Sequence, residues 1–547
     1  MLANARVVNV FSGEIVPGSV AIYGGKVAGV GDYHQAEEVL DLGGSYLAPG
    51  LINGHTHIES SMLDIGQYAR AVVVRGTLAV VTDLHELANV CGLDGLKYIM
   101  ESARHLPLEV FLLAPSCVPA TSLETSGASL GPEDIGGLLK WPGVIWLGEV
   151  MNFPGVINGD DSVLAKIELA RGKVVDGHAP GVSGRDLNAY IAAGIRSDHE
   201  SVTLEEAREK LGQGMYLMIR EGSSEKNLET LLPLVSDRTY KRCFFVVDDR
   251  SCADLLRDGD IDAVVRKAIS LGLEPVRAIQ LATINTAEYF RLDGLGAVAP
   301  GYAANLIVFD NLNDFNIDMV FHRGRLVAEK GQPLFSLADA TVPPPDSTVN
   351  IKPFDRDDLG IEASADFPVI EIVPGQIITK KTTARVKVSG GKIVADTGAD
   401  ILKLVVVERH RASGNIGRGL VKGFGLKKGA LVSSVAHDSH NIIAVGGSDE
   451  DIYTGIKELE RLKGGLAVVA DGRVLASLAL PIGGLMSDEP LDVVVSRFER
   501  LENLAKKLGT TLPSPFATLS FLALPVIPEL RLTDLGLVDV NTFKLIS

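Results

Sequence analysis

Two histidines one residue apart, in the sequence Gly54-His55-Thr56-His57, form the motif with the most definite chemistry. They end an apolar run that is typical of a β-strand, and in a strand residues i and i+2 face the same side. Both imidazoles can therefore reach one metal ion. An isolated His-X-His motif is a weak signal, because two polar residues at the start of a loop would look the same.

Four further candidate ligands follow later strand-like runs, and their number strengthens the motif. They are Glu149 after WLG, His178 after VVDG, His199 after RSD and Asp248 after FFVV. Two cations about 3.5 to 4 Å apart would need a bridging carboxylate. We predict the following binuclear site: His55, His57 and Asp248 on one divalent ion, His178 and His199 on the other, and Glu149 between them.

The chemistry that such a site performs is hydrolysis. Two divalent cations polarise a shared water and lower its pKa towards neutrality, so that hydroxide is available at physiological pH. We expect Asp248 to accept the proton of that water, while Asp249 beside it leaves two candidates for the metal ligand. Mixed imidazole and carboxylate ligands suit zinc, iron and manganese almost equally.

Three charged residues follow the second strand-like run, in the sequence TDLHE: Asp83, His85 and Glu86. At this position they are candidates for binding the substrate and moving protons during catalysis. The alternative is a salt-bridged start of a helix, because acidic side chains are favourable at a helix N-terminus.

Two further pairs of residues are candidates for contacts around the substrate. We expect Glu59 and Ser60, just after the first strand, to orient the ligand histidines. Arg220 ends the seventh strand-like run, and Glu221 follows it. For this pair, substrate contact and a structural ion pair are equally weighted alternatives.

A barrel would bring all of these strand ends together. From residue 46 to residue 295, strand-like runs alternate with helix-like segments, which predicts an α/β fold with a parallel sheet surrounded by helices. The runs are SYLAPGLING, TLAVVTD, LEVFLLAP, GVIWLGE, GKVVDG, GIRSD, MYLMIR and CFFVVDD. Eight strands match a (β/α)₈ barrel of the TIM type, whose catalytic groups lie where the strands end.

The segments outside the barrel have a different character. Residues 1–45 and 296–345 contain short β-branched runs separated by Gly and Pro, which predicts one composite β-sandwich domain split by the barrel. A Pro- and Asp-rich passage, VPPPDSTVNIKPFDRDD, is typical of a linker. Residues 346–547 then mix alternating strand runs with amphipathic helices, which predicts a C-terminal α+β domain.

A polar group in this C-terminal segment, SVAHDSHN, contains His437, Asp438, His440 and Asn441. Two histidines three residues apart are compatible with a metal site. A polar turn or a domain interface is the alternative that we favour.

Composition restricts the partners. The chain has 547 residues, a formal net charge of -17 and a pI near 5.2, which argues against nucleic acid as a ligand. Four widely separated cysteines are typical of reduced thiols. We see no apolar signal segment and no run long enough to span a bilayer, so we expect no membrane partner and a cytoplasmic location.

The arrangement of ligands resembles that of the amidohydrolase superfamily: H-X-H at the end of the first strand, histidines after the fifth and sixth, and aspartate after the eighth. In that superfamily the ligand directly follows the strand, which favours Asp248 over Asp249. Many members have a carboxylated lysine where this chain has Glu149. Segments similar to the adenine deaminase family cover nearly the whole chain, including GHTHIESSML, TDLHELANV, PSCVPATSLETSG, LGEVMNFPGVI, ERHRASGNIGRGLVKGFG and SVAHDSHN.

This resemblance implies a specific reaction. It is hydrolysis of adenine to hypoxanthine and ammonia in purine salvage, by attack of a metal-bridging hydroxide on C6. The resemblance also implies manganese or iron(II), with zinc as an alternative, a homodimer, and a C-terminal domain packed near the barrel mouth. The alternatives are a binuclear amidohydrolase acting on another 6-substituted purine or a cyclic amide, and a non-catalytic relative, which would have lost ligands.

Overall fold

The computed structural model describes residues 1–337, 342–345, 348–363, 366–374 and 376–546. The N-terminal stretch forms the first part of a flanking sheet, in which β1, β2 and β3 are antiparallel and β5 runs parallel to β1. Its strands are β1 (Leu2–Asn9), β2 (Glu14–Tyr23), β3 (Lys26–Gly31), β4 (Leu40–Asp41) and β5 (Tyr46–Pro49).

All eight runs that the sequence predicts as barrel strands are present. They are β6 (Leu51–Thr56), β7 (Thr77–Thr82), β8 (Glu109–Ala114), β9 (Val144–Val150), β10 (Val175–Gly177), β11 (Ser197–Asp198), β12 (Tyr216–Arg220) and β13 (Cys243–Val246). Parallel pairing links β6 through β10 and β11 through β13. Two contacts close the ring: the Arg196 N–H donates to the Val175 carbonyl at 3.2 Å, and Thr56 forms a parallel bridge with Asp248. The predicted (β/α)₈ barrel is confirmed.

The first predicted run, SYLAPGLING, proved to be two strands rather than one. Tyr46–Pro49 is β5 of the flanking sheet, and only Leu51–Thr56 belongs to the barrel. The chain changes sheets at Gly50, where a Cβ atom would lie 2.6 Å from a methyl group of Leu78. A continuous apolar run does not reveal such a change, because both strands are buried.

Helices surround the barrel and bury their apolar faces on it. In α10, for example, Ile261, Val264, Val265 and Ala268 are buried at helical spacing. The helices are α1 (Ile65–Val73), α2 (His85–Ser102), α3 (Pro132–Leu138), α4 (Phe153–Asn158), α5 (Asp161–Leu169), α6 (Gly184–Ala192), α7 (Leu204–Gly212), α8 (Leu228–Leu231), α9 (Cys252–Arg257), α10 (Ile261–Ser270), α11 (Pro275–Leu281) and α12 (Ile284–Phe290).

The chain then returns to the flanking sheet through β14 (Leu306–Phe309), β15 (Ile317–His322), β16 (Arg325–Glu329) and β17 (Gln332–Pro333). In this nine-stranded sheet, β5 lies between β1 and β14. The two segments on either side of the barrel therefore share one sheet, as their similar composition suggests.

The C-terminal segment is centred on an eight-stranded mixed sheet, with two three-stranded sheets beside it. Its strands are β18 (Ile361–Glu362), β19 (Phe367–Ile372), β20 (Thr379–Ala384), β21 (Lys387–Ser389), β22 (Lys392–Val394), β23 (Ile401–Val407), β24 (Ile416–Lys422), β25 (Ala430–Ser433), β26 (Ile442–Gly446), β27 (Gly465–Ala470), β28 (Arg473–Ala479), β29 (Leu530–Thr533), β30 (Gly536–Asp539) and β31 (Lys544–Ile546). The helices are α13 (Asp449–Leu462), α14 (Leu491–Lys507) and α15 (Pro515–Phe521). This mixture confirms the predicted α+β segment.

The C-terminal segment packs directly on the barrel. Helix α14 contacts α1 and α9. The Asp534 carboxylate accepts hydrogen bonds from the Thr125 N–H and hydroxyl, at 2.8 and 2.6 Å. None of the helices in the described ranges is both long and apolar enough to cross a bilayer.

Candidate metal centre and active site

Glu149, at the end of β9, lies at the centre of a buried group of imidazoles. Its Oε1 atom is 3.9 Å from His55 Nε2, 3.3 Å from His57 Nε2 and 3.5 Å from His85 Nδ1. Its Oε2 atom is 2.8 Å from His178 Nδ1. The two carboxylate oxygens therefore face different histidines, which is the arrangement that a carboxylate bridging two cations requires.

The second side of the group contains a carboxylate that the sequence analysis missed. Glu200 Oε1 lies 3.7 Å from His178 Nδ1 and 3.5 Å from His199 Nε2, and His199 Nε2 is 3.3 Å from Glu149 Oε2. His178, His199 and Glu200 thus form a second set of atoms close enough to hold one ion. The signal in the sequence was the position of Glu200, directly after a predicted ligand at a strand end.

Asp248 completes the first side. Its Oδ1 atom lies 3.6 Å from His55 Nε2 and 3.1 Å from His57 Nε2, and its Oδ2 atom accepts a hydrogen bond from Arg220 at 2.6 Å. Burial alone would raise the pKa of Asp248, but the charge of Arg220 and the hydrogen bond with His57 hold it well below its usual range. A carboxylate that stays ionised in a buried site is suited to bind a cation.

Strand geometry explains how distant segments meet here. His55 lies in β6 and His57 directly follows its last residue, Thr56, so the two histidines keep the i and i+2 spacing. The Asp248 N–H donates to the His55 carbonyl at 3.0 Å, and the His57 N–H donates to the Asp248 carbonyl at 3.3 Å. The first and last barrel strands therefore hold these three ligand candidates side by side.

The group fits divalent cations. Ligand atoms about 2.1 Å from a shared ion lie roughly 3 to 3.5 Å apart, close to the spacing around Glu149 and Asp248. His55 Nε2 faces both carboxylates but has no hydrogen-bond partner within the described part of the chain. Burial alone would lower the pKa of His199, but Glu149, Asp248 and Glu200 raise it to about 10. The same negative field would attract a metal ion.

Polar groups behind the histidines set their orientation. His57 Nδ1 lies 2.8 Å from the Asp83 carbonyl, so Nδ1 carries the hydrogen and Nε2 is free to face the carboxylates. His55 Nδ1 lies 3.3 Å from Asp176 Oδ2, and Asp176 itself accepts hydrogen bonds from Ser197 and Gly177. Asp176 is a second residue that the sequence analysis missed, although it is two residues before His178.

Glu59 and Ser60 occupy positions other than those expected. Glu59 accepts a hydrogen bond at 3.1 Å from the Leu87 N–H at the start of α2, and Ser60 donates to Asp249 rather than to a ligand histidine. Burial and the neighbouring Glu86 raise the pKa of Glu59 to about 7. Asp249 thus accepts from Ser60, whereas Asp248 lies within 3.6 Å of both His55 and His57, so the geometry favours Asp248 as the ligand.

Arg220 and Glu221 are held by ion pairs, which favours the structural alternative for both. Arg220 donates to Glu200 at 2.5 and 3.1 Å as well as to Asp248, and links the two carboxylates across the site. Glu221 turns away from the group: it lies 2.5 Å from Lys267 Nζ and accepts a hydrogen bond from the Leu228 N–H. Lys267 thereby neutralises the charge of Glu221 outside the histidine group.

Of the group at the start of α2, Asp83 and His85 lie in the candidate site, whereas Glu86 faces the C-terminal segment. Asp83 Oδ2 accepts a hydrogen bond from the Glu149 N–H at 2.9 Å, and His85 lies between Asp83 and Glu149. Glu86 Oε1 lies 2.6 Å from His437 Nδ1. Burial alone would lower the pKa of His437, but Glu86 raises it to about 9, which makes this contact an ion pair at neutral pH.

Comparisons with known proteins agree with this geometry. Residues 46–327 match the amidohydrolase family, and residues 376–544 match the adenine deaminase C-terminal domain. Adenine deaminase of Dehalococcoides mccartyi (strain ATCC BAA-2266 / KCTC 15142 / 195) is 64% identical over 547 residues, which cover 100% of this chain and 96% of that protein. Adenine deaminase 2 of Carboxydothermus hydrogenoformans is 50% identical, again over 100% of this chain and 96% of its own length.

This chain belongs to the adenine deaminase family. The resemblance stated from the motifs is confirmed, and it extends over both the barrel and the C-terminal segment. Among solved structures, the β-aspartyl dipeptidase of Fervidobacterium islandicum AW-1 has 19% sequence identity and a TM-score of 0.47, over 61% of this chain and 97% of its own.

The C-terminal segment reaches the histidine group, in line with the packing near the barrel mouth that the resemblance implied. Asp438 Oδ1 lies 3.9 Å from His85 Nε2. The sequence contained a signal for this contact in the compact polar group SVAHDSHN, but nothing in that signal identified the barrel residue that it meets.

Proposed function

We propose that this chain hydrolyses adenine to hypoxanthine and ammonia at the group centred on Glu149. The full-length likeness to adenine deaminases carries the proposal, because the site geometry by itself suits many hydrolytic reactions. The six predicted ligands all lie in one group, in which only His178 is partly exposed, so the chain has the residues that a catalytic member needs.

The same residues would hold two divalent cations, for which manganese, iron(II) or zinc are suitable. His55, His57 and Asp248 would hold one, His178 and His199 the other, with Glu149 between and Glu200 as an added candidate. Bound there, the cations would lower the pKa of a shared water and so supply a nucleophile at neutral pH.

Residues of this chain would carry the remaining steps. A water oxygen adds to C6 of adenine, and its proton passes to Asp248, whose carboxylate is fixed in direction by Arg220. When the C6–N6 bond breaks, the amino group leaves as ammonia after receiving a proton, and hypoxanthine remains. Asp83 and His85, beside Glu149, are placed to assist these transfers.

The test is a direct assay. The protein is chelated, reconstituted with manganese or iron(II), and incubated with adenine while hypoxanthine is followed by ultraviolet absorbance and ammonia is measured separately. We expect turnover in the wild type, and a loss of at least about 10³-fold in Glu149→Gln. Bound metal without any reaction of adenine would contradict the substrate, and other 6-substituted purines and cyclic amides would be the next compounds to test.

A further inference from the structure

A loop of the C-terminal segment, residues 435–441, covers part of the barrel mouth. It is attached at both ends: His437 Nδ1 lies 2.6 Å from Glu86 Oε1, and Asn441 Nδ2 donates to the Thr125 carbonyl at 2.8 Å. The ring of His437 also stacks on Phe521, with centroids 4.7 Å apart. The loop is thereby held in one position relative to the barrel.

Asp438 is the loop residue that reaches the histidine group. Its Oδ1 atom lies 3.9 Å from His85 Nε2, and the opposite nitrogen of that ring, Nδ1, lies 3.5 Å from Glu149 Oε1. A single imidazole ring therefore separates Asp438 from the carboxylate at the centre of the site. A purine contains an imidazole ring fused to a six-membered ring, so a base that lay beside the His85 ring would be long enough to reach from Glu149 towards Asp438.

The Asp438 carboxylate is buried, and one of its two oxygens is unpaired in the described structure. The residue is 3% exposed, and Oδ2 has no hydrogen-bond partner among the residues that the structure describes. Its nearest cationic candidates, His85 and His437, both lie 3.9 Å from Oδ1, which is too long for a hydrogen bond. Because a buried carboxylate oxygen without a donor is costly, an acceptor kept in this position implies a ligand that supplies an N–H to it.

We propose that Asp438 is a substrate-binding residue, which accepts a hydrogen bond from the ring N–H of the bound purine. The inference rests on the proposed function. Adenine is attacked at C6 in its six-membered ring, whereas the ring N–H of the neutral base is on the five-membered ring. A base with C6 near Glu149 would thus bring the N–H towards Asp438.

A hydrogen bond from the substrate to Asp438 would also determine which purines the site accepts. A purine that is methylated on N9 or N7 has lost the ring N–H in its neutral form, so it would leave the Asp438 carboxylate buried and unpaired. Sites that bind a substrate N–H through a buried acceptor reject analogues that lack it strongly. The C-terminal segment would then select the free base, and the barrel alone would form an incomplete active site.

Glu86, His437 and His440 are also close enough together to hold a metal ion, but hydrogen bonding disfavours that use. His440 Nδ1 accepts a hydrogen bond from the Ala436 N–H at 3.0 Å, so in the neutral ring Nε2 carries the hydrogen. A nitrogen that carries hydrogen has no lone pair for a cation. These residues instead act as a clamp that positions the loop.

The test compares Asp438→Asn with Asp534→Asn. Both replace a buried carboxylate of the C-terminal segment that faces the barrel, but Asp534 binds the barrel residue Thr125 and lies outside the proposed site. We expect Asp438→Asn to lower kcat/KM for adenine at least about tenfold, mainly through KM, with metal content and melting temperature as in the wild type. Affinity for hypoxanthine, measured by calorimetry, should fall in parallel.

A second readout is the ratio of kcat/KM for adenine to kcat/KM for 9-methyladenine, and the same ratio for 7-methyladenine. A change in how the C-terminal segment packs on the barrel would not alter these ratios. The wild type should reject both methylated bases, and Asp438→Asn should reduce both ratios whereas Asp534→Asn should not. Active wild type that accepts both methylated bases as well as adenine would overturn the inference, as would wild-type kinetics in Asp438→Asn. Failure of the wild type to deaminate adenine would overturn the proposed function first.

Discussion

Asp83 and Glu149 are joined across the barrel: Asp83 Oδ2 accepts a hydrogen bond of 2.9 Å from the Glu149 N–H, although β8 lies between their strands. The carbonyl of Asp83 also lies 2.8 Å from His57 Nδ1. One residue therefore positions the backbone of the proposed bridging ligand and the ring of a proposed metal ligand. Mutation of partners of this kind typically lowers metal affinity or activity by about 10- to 100-fold.

Gly148→Ala tests this connection. A Cβ atom at Gly148 would overlap the Asp83 carboxylate, so Asp83 must move away from the Glu149 N–H. We expect metal affinity and kcat/KM for adenine to fall about 10- to 100-fold, as measured by metal titration of the apoprotein and by the hypoxanthine assay. Gly137→Ala in α3 is the matched control, because a Cβ there meets no described atom within 4 Å. Equal behaviour of the two variants would contradict the role of Asp83.

Asp248→Asn and Asp249→Asn distinguish the two adjacent aspartates. Asp248 faces His55 and His57, whereas Asp249 binds Ser60. We therefore expect Asp248→Asn to lose bound metal and about 10³-fold or more in kcat, and Asp249→Asn to retain its metal with a smaller loss. Metal content by elemental analysis, together with turnover, separates the cases. Loss of metal only in Asp249→Asn would reverse the assignment.

Removal of metal should lower the thermal stability of the protein. Three buried carboxylates, Glu149, Glu200 and Asp248, would lose their cations and depend on the imidazoles and on Arg220. A ligand that binds only the folded state stabilises it by about 2.7 kcal/mol at 100 times its Kd. Calorimetry of the chelated protein should show that the midpoint of thermal unfolding rises when manganese is added. In Glu149→Gln the rise should be much smaller, and an equal rise would place the metal elsewhere.

Glu502, on α14 and far from the histidine group, predicts a pH effect on stability. Burial, partly opposed by Lys506, raises its pKa from the ordinary 4.5 to about 7. The folded state thus prefers the protonated form, so its stabilisation is present below pH 4.5 and is lost as the pH rises through about 7. Glu502→Gln should melt like the wild type at pH 5 and be more stable by about 1 kcal/mol at pH 8, since Glu502 is partly exposed.

Glu499→Gln is the control for this measurement, because Glu499 is an exposed position on the same helix. A pH dependence of the melting temperature that is unchanged in Glu502→Gln would show that the burial of this carboxyl has no effect on stability.

Much of the fold was accessible from local patterns. Apolar runs of strand length separated by helical segments predicted all eight barrel strands. A strand that is buried on both faces is a continuous apolar run, and more polar segments separate each run from the next. The error at SYLAPGLING arose for the same reason: two buried strands in succession form one apolar run. The positions of the ligand candidates followed from the rule that functional side chains of a barrel lie at strand ends.

From the amino-acid order alone, the resemblance of several segments indicated the family. Residue types and short periodicities predicted the barrel and six ligand candidates. Only the tertiary structure brought Glu200, Asp176 and Asp438 into the site and turned Glu221 away from it. The reason is physical: a side chain's partners depend on its rotamer and on segments far away along the chain. The contact between His85 and Asp438 spans more than three hundred positions, and no local pattern encodes it.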